Sequence, residues 1–537
     1  MLMRYFKSFK YKKEILFLLL TTLLLSVPAS YCNGWLSMGL FITSFITSFA
    51  WCVIIFWIIG DNIVLKKSVA FVLFSLFAIE TSLYLKFGSR LDSKIMMLIM
   101  QTDFEEAKEF VSSYFLKWWT LIGIIVYLVG LYLIMKLCNI VCMNDLRKQW
   151  TCRLLAPFFV VIGIFLPCFS PIELGGNTIT GIYNAYSLLR LYHPDVGYFI
   201  SSINKICISS DSCEKDPPII VFVIGESHNK HHSQIYGYDL PTSPRLSEVR
   251  NLIVYTNAHT PVCHTQEAMR YLFSLKSCNN ANDTLLHYVL FPSVFKKAAF
   301  EVACFDNQYT RSKGGADYSC DYFLSPKYIH NNCFDFRNED LERYDADFVL
   351  RYKSQFVKGR KALNIIHLKG QHIKYNRRYP QSYSYFKPED IQRKDLSKDE
   401  KEIIAEYDNA TRYVDDVLFH IIDEFRKEDA VLVYLSDHGE NIFDGKGHRL
   451  GRERPLDDKE SIINIRQIPF LVWCSDSFII KRPEKYEAIK KAANKPVCSD
   501  DVAYLLFDLA GINSSLIDST RSVISPYYSP HKTRIEE

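Results

Sequence analysis

The chain has 537 residues, of which 49% are hydrophobic and 14% aromatic, and its formal net charge is +4. This length is sufficient for two or three domains. So small a net charge excludes the basic signature of a nucleic-acid-binding protein. The apolar residues are concentrated before about residue 170, whereas the remaining sequence has the composition of an ordinary globular domain.

The N-terminal part contains five apolar runs, each close to the roughly 20 residues that an α-helix needs to cross a bilayer. A signal peptide would explain only the first run, so the other four favour retained helices. Basic residues precede the first run and follow the second and fourth, which predicts a cytoplasmic N-terminus and an exported C-terminal part. Residues 1–170 are therefore predicted to form a five-helix transmembrane domain. The runs are 15–31, 35–59, 68–84, 118–135 and 154–169.

The sequence pattern changes after the membrane part. Residues 171–217 lack strong periodicity, and we predict a linker along the membrane surface. From residue 218 onwards, short runs rich in Val and Ile alternate with helix-like segments. This pattern is typical of an α/β domain with a mostly parallel sheet covered on both faces, here predicted over residues 218–537. The predicted strands are 218–225, 251–258, 363–370, 430–437 and 468–475.

Polar side chains follow several of these predicted strands. Sites in mostly parallel sheets gather at the carboxyl ends of the strands. A single His at a strand end is more often structural, but five residues of metal-binding types at the strand ends of one sheet are not expected by chance. One crevice is therefore predicted to collect Glu226, Thr265, His372, Asp437, His438 and His448.

Carboxylates and imidazoles together are ligands for zinc or a similar divalent ion. Asp437 and His438 are adjacent, so a tight turn can direct both at one ion. Glu226 would complete three protein ligands and leave one position open. An ion there would lower the pKa of the Thr265 hydroxyl and make this residue a covalent nucleophile.

Two further histidines have roles that the pattern leaves open. His372 and His448 would hold a second ion or bind the oxygens of the transferred group. Either could instead protonate the leaving group.

Five short motifs follow one another in the second half of the chain, and their order carries a resemblance. They are IGES (224–227), YGYDLPTSP (236–244), HT (264–265), GQH (370–372) and SDHGE (436–440). This set resembles the phosphoethanolamine transferases, which are inner-membrane enzymes of the alkaline phosphatase and sulfatase superfamily. They include the lipid A enzymes responsible for polymyxin resistance. The resemblance covers nearly the whole chain, including the five predicted spans.

The resemblance implies roles for individual residues. It implies that Thr265 becomes phosphoethanolaminylated and that His372 and His448 help to bind the donor or a second zinc ion. One or two Zn2+ ions are expected, in preference to Mn2+ or Mg2+. In the loop 88–117, Thr102 and Glu106 fit the donor-binding spacing of the family, whereas Leu98 replaces its usual Asn. The implied zinc site consists of Glu226, Thr265, Asp437 and His438.

The resemblance also implies a reaction and a location. Thr265 takes phosphoethanolamine from phosphatidylethanolamine and passes it to lipopolysaccharide, at lipid A or the core, or to another cell-envelope glycan. The enzyme is expected to be a monomer in the inner membrane of a bacterium, with its catalytic domain in the periplasm.

Three other functions are alternatives to this one. A glycerol-phosphate transferase of the lipoteichoic-acid-synthase type would use the same metal and threonine. A sulfatase would need a Cys or Ser in a C/S-x-P/A-x-R signature, which the sequence around Thr265 does not supply. A non-catalytic sensor or scaffold would not depend on Thr265 at all.

The cysteines of the exported part are expected to form disulfides, because the periplasm is oxidising. The spacing favours local pairs without determining the connectivity. The local pairs are Cys207 with Cys213, Cys263 with Cys278, and Cys320 with Cys333.

Overall fold

The structure is a computed structural model that describes most of the chain. The described residues are 12–32, 35–36, 38–87, 108, 118–143, 196–204, 206, 208, 214–278, 289–308, 327–444, 449–452, 459–514 and 517–530. The chain divides into two compact units, and the main division falls between Tyr192 and His193.

The first unit contains four long apolar helices, which coincide with four of the five predicted runs. Among the described residues, two segments are long and apolar enough to cross a membrane, Phe41–Ile59 and Ile122–Ile140. The fifth run, 154–169, lies outside the described residues, so the five-helix domain stays a prediction. The helices are α1 (Lys12–Ala29), α2 (Met38–Ile59), α3 (Ile63–Phe87) and α4 (Trp118–Ile140), and the two-residue strands β1 (Tyr31–Cys32) and β2 (Trp35–Leu36) pair between α1 and α2.

Polar contacts tie three segments together at one end of this helical unit. Glu14 at the start of α1 accepts a hydrogen bond from the Cys142 amide at 3.1 Å. Lys66 in the first turns of α3 donates to the Val141 carbonyl at 2.6 Å. The start of α1, the start of α3 and the end of α4 therefore share one end, as the predicted alternation of spans requires.

The second unit is an α/β fold around a seven-stranded, mostly parallel sheet, which confirms the predicted fold class for this part. All five predicted strands belong to the sheet, whose order is β4-β12-β9-β3-β8-β6-β7. Strand β12 runs antiparallel to both β9 and β4. The strands of the unit are β3 (Ile219–Gly225), β4 (Leu252–Tyr255), β5 (Ala258–His259), β6 (Glu301–Asp306), β7 (Phe336–Arg337), β8 (Ala362–His367), β9 (Ala430–Ser436), β10 (Asn441–Ile442), β11 (Leu450–Gly451), β12 (Phe470–Cys474) and β13 (Val497–Cys498).

Both faces of the sheet are covered, because the strands are apolar on both sides. In β3, Phe222 and Ile224 pack into the core on one face, whereas Val221 and Val223 pack into the core on the other. Burial on both faces explains why these strands are continuous apolar runs rather than alternating ones. The covering helices are α5 (Val196–Asn204), α6 (Pro244–Ser247), α7 (Thr265–Phe273), α8 (Phe291–Lys297), α9 (Lys327–Cys333), α10 (Asp345–Tyr352), α11 (Lys398–Phe425), α12 (Lys459–Arg466), α13 (Asp476–Lys481), α14 (Pro483–Ala492) and α15 (Val502–Ala510).

A local sequence signal fixes the N-terminus of the long helix α11. Ser397 caps its N-terminus and accepts the Glu400 amide, while the Glu400 carboxylate accepts the Ser397 amide at 2.7 Å. This reciprocal pair is a capping box, which satisfies two backbone donors that the first turn leaves free. The apolar face of α11 then packs on the sheet through residues such as Val414 and Ile421.

The described part of the predicted linker 171–217 packs into the second unit. Phe199 and Ile203 of α5 are buried in one of its two cores. Glu214 accepts a hydrogen bond from Arg482 at 2.7 Å. The domain boundaries themselves stay predictions.

Candidate active site

Two neighbouring strands deliver three ionisable side chains to one edge of the sheet. Strands β3 and β9 run parallel, with Gly225 opposite Ser436 as their last pair. Glu226 therefore lies beside Asp437 and His438, and all three are buried. Asp437 is held from behind, because its Oδ1 atom accepts the amides of Ser227 at 3.1 Å and His438 at 2.7 Å.

The His438 ring is fixed in the tautomer that suits a metal ligand. Its Nδ1 atom lies 2.8 Å from the Gly439 carbonyl, which can only accept a hydrogen bond, so Nδ1 carries the proton. The lone pair of Nε2 then points at the two carboxylates. Nε2 lies 3.1 Å from Asp437 Oδ2 and 3.4 Å from Glu226 Oε1.

The Thr265 hydroxyl completes this group from another element. Thr265 is the first residue of helix α7, which follows β5 in the chain. Its Oγ1 atom lies 3.1 Å from Glu226 Oε2 and 3.2 Å from His438 Nε2. A phosphoryl group on this hydroxyl would also lie at the start of a helix, where free backbone amides favour negative charge.

The arrangement fits a divalent cation. One ligand atom from each of Glu226, Asp437 and His438 lies within 4.8 Å of the others. Asp437 Oδ2 is buried and receives no hydrogen bond among the described residues. Burial, with Arg452 adding to it, lowers the pKa of His438 to about 3, so the ring is neutral and its Nε2 atom carries a lone pair. Two carboxylates and a neutral imidazole that converge in a buried site are stabilised by a cation, and carboxylate with imidazole is a set that zinc accepts.

Two glycines let the backbone pass close to these ligands. Gly370 has φ +47°, and a Cβ atom there would lie 2.8 Å from the Glu226 carbonyl oxygen. At Gly439 a Cβ atom would lie only 2.1 Å from the Asn464 carbonyl oxygen. Any larger residue at either position would displace the segment that carries a predicted ligand.

Of the other predicted site residues, His372 interacts with this group through the charge of Glu226, and the rest lie outside the described residues. Burial lowers the pKa of His372 to about 3, partly offset by the charge of Glu226, so His372 faces the same group as a neutral ring. His448, Thr102 and Glu106 lie outside the described residues, so their roles stay predictions.

A chain of polar groups that the sequence reasoning missed supports Glu226 from the side of β6 and β8. Gln308 donates to Glu226 Oε2 at 3.1 Å, and its amide nitrogen also lies 3.0 Å from His367 Nε2. His367 in turn lies 3.0 Å from Asp306. Asp306 ends β6 and Gln308 follows two residues later, so the rule that polar residues at strand ends form sites would have found both.

Arg452 is a second missed residue, and it brings a positive charge to the ligands. It lies directly after β11, and one of its nitrogens is 2.5 Å from His438 Nε2 and 3.0 Å from the Cys263 carbonyl. Its Nε atom is 3.7 Å from Glu440. No strand-end pattern predicts this residue, because the hairpin of β10 and β11 has only two residues per strand.

Removing the charge of Arg452 is expected to tighten zinc binding about tenfold, because the guanidinium occupies the His438 lone pair and repels a cation. We would measure zinc affinity of Arg452→Met by competition with a chelating dye, without donor lipid. Arg449→Met, which removes a charge three residues earlier, should bind zinc like the unchanged protein. Unchanged or weaker zinc binding by Arg452→Met would show that Arg452 does not compete with zinc for His438.

A buried ion-pair network lies behind the Glu226 loop. His232 Nδ1 lies 2.7 Å from Asp408, and its Nε2 atom lies 3.3 Å from Asp444. Tyr238 also donates to Asp408 at 2.9 Å. Burial alone would lower the pKa of His232, but the carboxylates of Asp444 and Asp408 outweigh it and raise this pKa to about 10.

The free energy of unfolding should therefore depend on pH through His232. A raised pKa contributes stability that is complete below the unfolded value of 6.5 and is lost as the pH rises towards about 10. The loss is at most about 1.4 kcal/mol per pH unit. Thermal unfolding between pH 6.5 and 10 should show this slope in the unchanged protein and in His231→Gln, but not in His232→Gln. Equal pH slopes in the unchanged protein and both variants would rule out a contribution of His232 to the free energy of unfolding.

Comparison with known proteins gives a family match over most of the second unit. The sulfatase family profile matches residues 218–512. Phosphoethanolamine transferase EptC of Escherichia coli O18:K1:H7 is 26% identical over 482 residues, which are 83% of this chain and 79% of the relative.

Solved structures agree with this match. The C-terminal periplasmic domain of EptC from Escherichia coli has a TM-score of 0.51 and 25% identity, over 61% of this chain and 90% of that domain. The integral membrane lipooligosaccharide phosphoethanolamine transferase A from Neisseria meningitidis has a TM-score of 0.62 at 15% identity, over 96% of this chain and 99% of its own, and shows the fold alone. The resemblance to phosphoethanolamine transferases is thereby confirmed. Because the profile covers more than half of its residues, the chain belongs to the sulfatase family.

Proposed function

We propose that the chain transfers phosphoethanolamine from phosphatidylethanolamine to lipopolysaccharide, at lipid A or the core, or to another envelope glycan. Its curated relatives include phosphoethanolamine transferases and a Kdo(2)-lipid A phosphoethanolamine 7''-transferase. The observation that carries the proposal is the Thr265 hydroxyl, which lies 3.1 Å from Glu226 and 3.2 Å from His438.

The proposed location is the inner membrane of a bacterium, with residues 218–537 in the periplasm. Two candidate spans and a similar integral membrane protein support a membrane anchor. We propose that residues 1–170 cross the bilayer five times and that residues 171–217 join the two domains. Anchoring suits the reaction, because its lipid donor and the diacylglycerol product both reside in the bilayer. The monomeric state and the lack of nucleic-acid binding stay predictions.

In the proposed reaction Thr265 attacks the phosphorus of the donor, the bond to the diacylglycerol oxygen breaks, and the proton of the Thr265 hydroxyl is transferred to that oxygen. Glu226 Oε2 accepts the hydrogen bond of the Thr265 hydroxyl and orients its lone pairs towards the donor. An acceptor hydroxyl or phosphate then attacks the phosphothreonine and regenerates Thr265.

We propose that Glu226, Asp437 and His438 hold one zinc ion with Thr265. The C-terminal periplasmic domain of EptC from Escherichia coli has been solved in complex with zinc. When bound, such an ion lowers the pKa of the threonine hydroxyl and neutralises charge on the phosphoryl group. The number of ions, one or two, is part of this proposal.

The remaining predicted residues are proposed to hold the donor or a second ion. A pKa of about 3 makes His372 a neutral ring at physiological pH, which favours ligand or hydrogen-bonding roles over protonation of the leaving group. His448 is proposed to act beside it. Thr102 and Glu106 are proposed to contact the donor head group.

The covalent step can be tested directly on the full-length protein in vesicles of phosphatidylethanolamine without acceptor. Mass spectrometry of the tryptic peptide 251–270 should then show phosphoethanolamine on Thr265. Vesicles of phosphatidylglycerol serve as the control. Glycerol phosphate on Thr265, with no phosphoethanolamine, would instead support the lipoteichoic-acid-synthase alternative, and an unmodified Thr265 would contradict both.

The acceptor needs a separate experiment in cells. Lipid A and core oligosaccharide from deletion and parent strains should be compared by mass spectrometry. Loss of phosphoethanolamine from lipid A in the deletion strain identifies lipid A as the acceptor. An unchanged lipid A with an altered core assigns the core, and no change in either directs the search to other glycans.

A further inference from the structure

A pair of thiols lies outside the candidate active site. Cys278 follows the nucleophile helix α7, and Cys498 is the last residue of β13. Ligand atoms of Cys278, Cys498 and Asp500 lie within 4.8 Å of one another. Cys498 is buried, whereas Cys278 is partly exposed. The spacing of the sequence favoured Cys263 as the partner of Cys278, but the fold brings a residue 220 positions away to it instead.

The surroundings hold both thiols in fixed positions. The Cys278 amide donates to Asp500 Oδ2 at 2.9 Å. Arg521 donates to the Leu275 carbonyl at 2.9 Å and to the Asp500 carbonyl at 2.7 Å. Cys498 is fixed by β13, which pairs in parallel with β5 just before the nucleophile loop. The backbone of each cysteine is therefore held in place by the fold, so the two thiols stay close to each other.

Two thiols and a carboxylate suit either a metal ion or a disulfide, and the charges nearby decide between them. The guanidinium of Arg521 lies 3.5 Å from Asp500 Oδ2 and already balances this carboxylate. With its single carboxylate balanced in this way, the thiol pair attracts a divalent cation less than the two carboxylates of the candidate active site do. An oxidising compartment, in contrast, favours a disulfide between neighbouring thiols.

We propose that Cys278 and Cys498 form a disulfide in the exported protein. This inference rests on the proposed periplasmic location, but it does not depend on the proposed reaction.

The oxidant is a disulfide of another protein or of a small thiol. The more exposed Cys278 loses its proton, attacks one oxidant sulfur and releases the other as a thiolate. Cys498 then loses its proton, attacks Cys278 Sγ and expels the second oxidant thiolate. The two cysteine protons are taken up by the released thiolates. Two cysteines are thus oxidised while one external disulfide is reduced to two thiols.

The disulfide would fix the helix that carries Thr265. Strand β13 pairs with β5 ahead of Thr265, and the cross-link would join the same segment to Cys278 behind it. Both ends of the nucleophile segment, residues 259–278, would then be tied to residues 497–500. The role of the disulfide is to position α7, and the disulfide itself does not contact the substrate.

The bond can be tested by peptide mapping. Full-length protein is collected from membranes with a thiol-blocking reagent present at lysis and digested without reductant. The tryptic peptides 277–296 and 492–521 contain one cysteine each, Cys278 and Cys498. We expect them as one linked species that separates after reduction. Recovery of both peptides blocked and unlinked would overturn the proposal, and so would zinc bound to the two free thiols.

A stability measurement gives a second readout. Reductant should lower the melting temperature of the unchanged protein by roughly 5 °C more than it lowers that of Cys278→Ser or Cys498→Ser. The double variant should lose no more stability than the less stable single variant. Additive losses, with no effect of reductant on the unchanged protein, would exclude the bond. Formation of the Thr265 adduct tests the proposed reaction separately.

Discussion

Thr265→Ala is expected to reduce phosphoethanolamine transfer at least about 1,000-fold, because it removes the hydroxyl that attacks the phosphorus. Thr265 Oγ1 is the hydroxyl that lies against both Glu226 and His438 in the described site. We would measure the initial rate of transfer from phosphatidylethanolamine to lipopolysaccharide. Thr265→Ser, which keeps the hydroxyl, should retain measurable transfer.

A matched control separates loss of the nucleophile from loss of folding. Thr260 belongs to the same loop and is buried, and its hydroxyl donates to the nearby Val262 carbonyl at 3.1 Å. Thr260→Ala should therefore keep most of the transfer rate. Thr265→Ala should keep its melting temperature. Substantial transfer by Thr265→Ala would show that the protein does not use a phosphothreonine.

Asp437→Asn is expected to weaken zinc binding at least about 100-fold and to abolish transfer with it. The substitution keeps the oxygen that accepts the Ser227 and His438 amides. It replaces Oδ2, the buried atom without a hydrogen-bond donor, by an amide group that cannot act as an anionic ligand. Zinc content after purification and competition with a chelating dye measure the effect.

Asp415→Asn is the control for this substitution. Asp415 is also buried and accepts two backbone amides, those of Arg245 and Leu246, both at 2.9 Å. It lies on α11 and is not one of the three clustered ligands. Asp415→Asn should bind zinc like the unchanged protein. If Asp437→Asn does so too, Asp437 is not a metal ligand.

The sheet was predictable wherever a strand is long and apolar. The runs that became β3 and β9 are buried on both faces, so their composition alone marks them. The two-residue strands β7 and β10 have no such pattern, because pairing with neighbours defines them rather than their own residues. The start of α11 was predictable for a different reason, since Ser397 and Glu400 form a local capping box.

The candidate site was predictable only in part. Glu226, Asp437 and His438 directly follow long strands, so a rule on strand ends brings them together. Thr265 follows the short strand β5, and only the contacts of its hydroxyl with Glu226 and His438, which are distant in the sequence, indicate that it is a nucleophile. Arg452 reaches His438 from a hairpin, and Cys498 reaches Cys278 through the packing of distant segments. Such contacts depend on tertiary structure, which periodicity does not encode.

The parallel pairing of β3 with β9 has a consequence for biosynthesis. Ser227 and Asp437, which share a hydrogen bond, are 210 residues apart. A growing chain that has only reached α11 contains Glu226 and Thr265 but neither Asp437 nor His438. Because a metal site requires the assembled ligands, the proposed zinc ion can be loaded only after β9 has been synthesised and inserted between its neighbours. Acquisition of the metal is therefore one of the last events in the maturation of this unit.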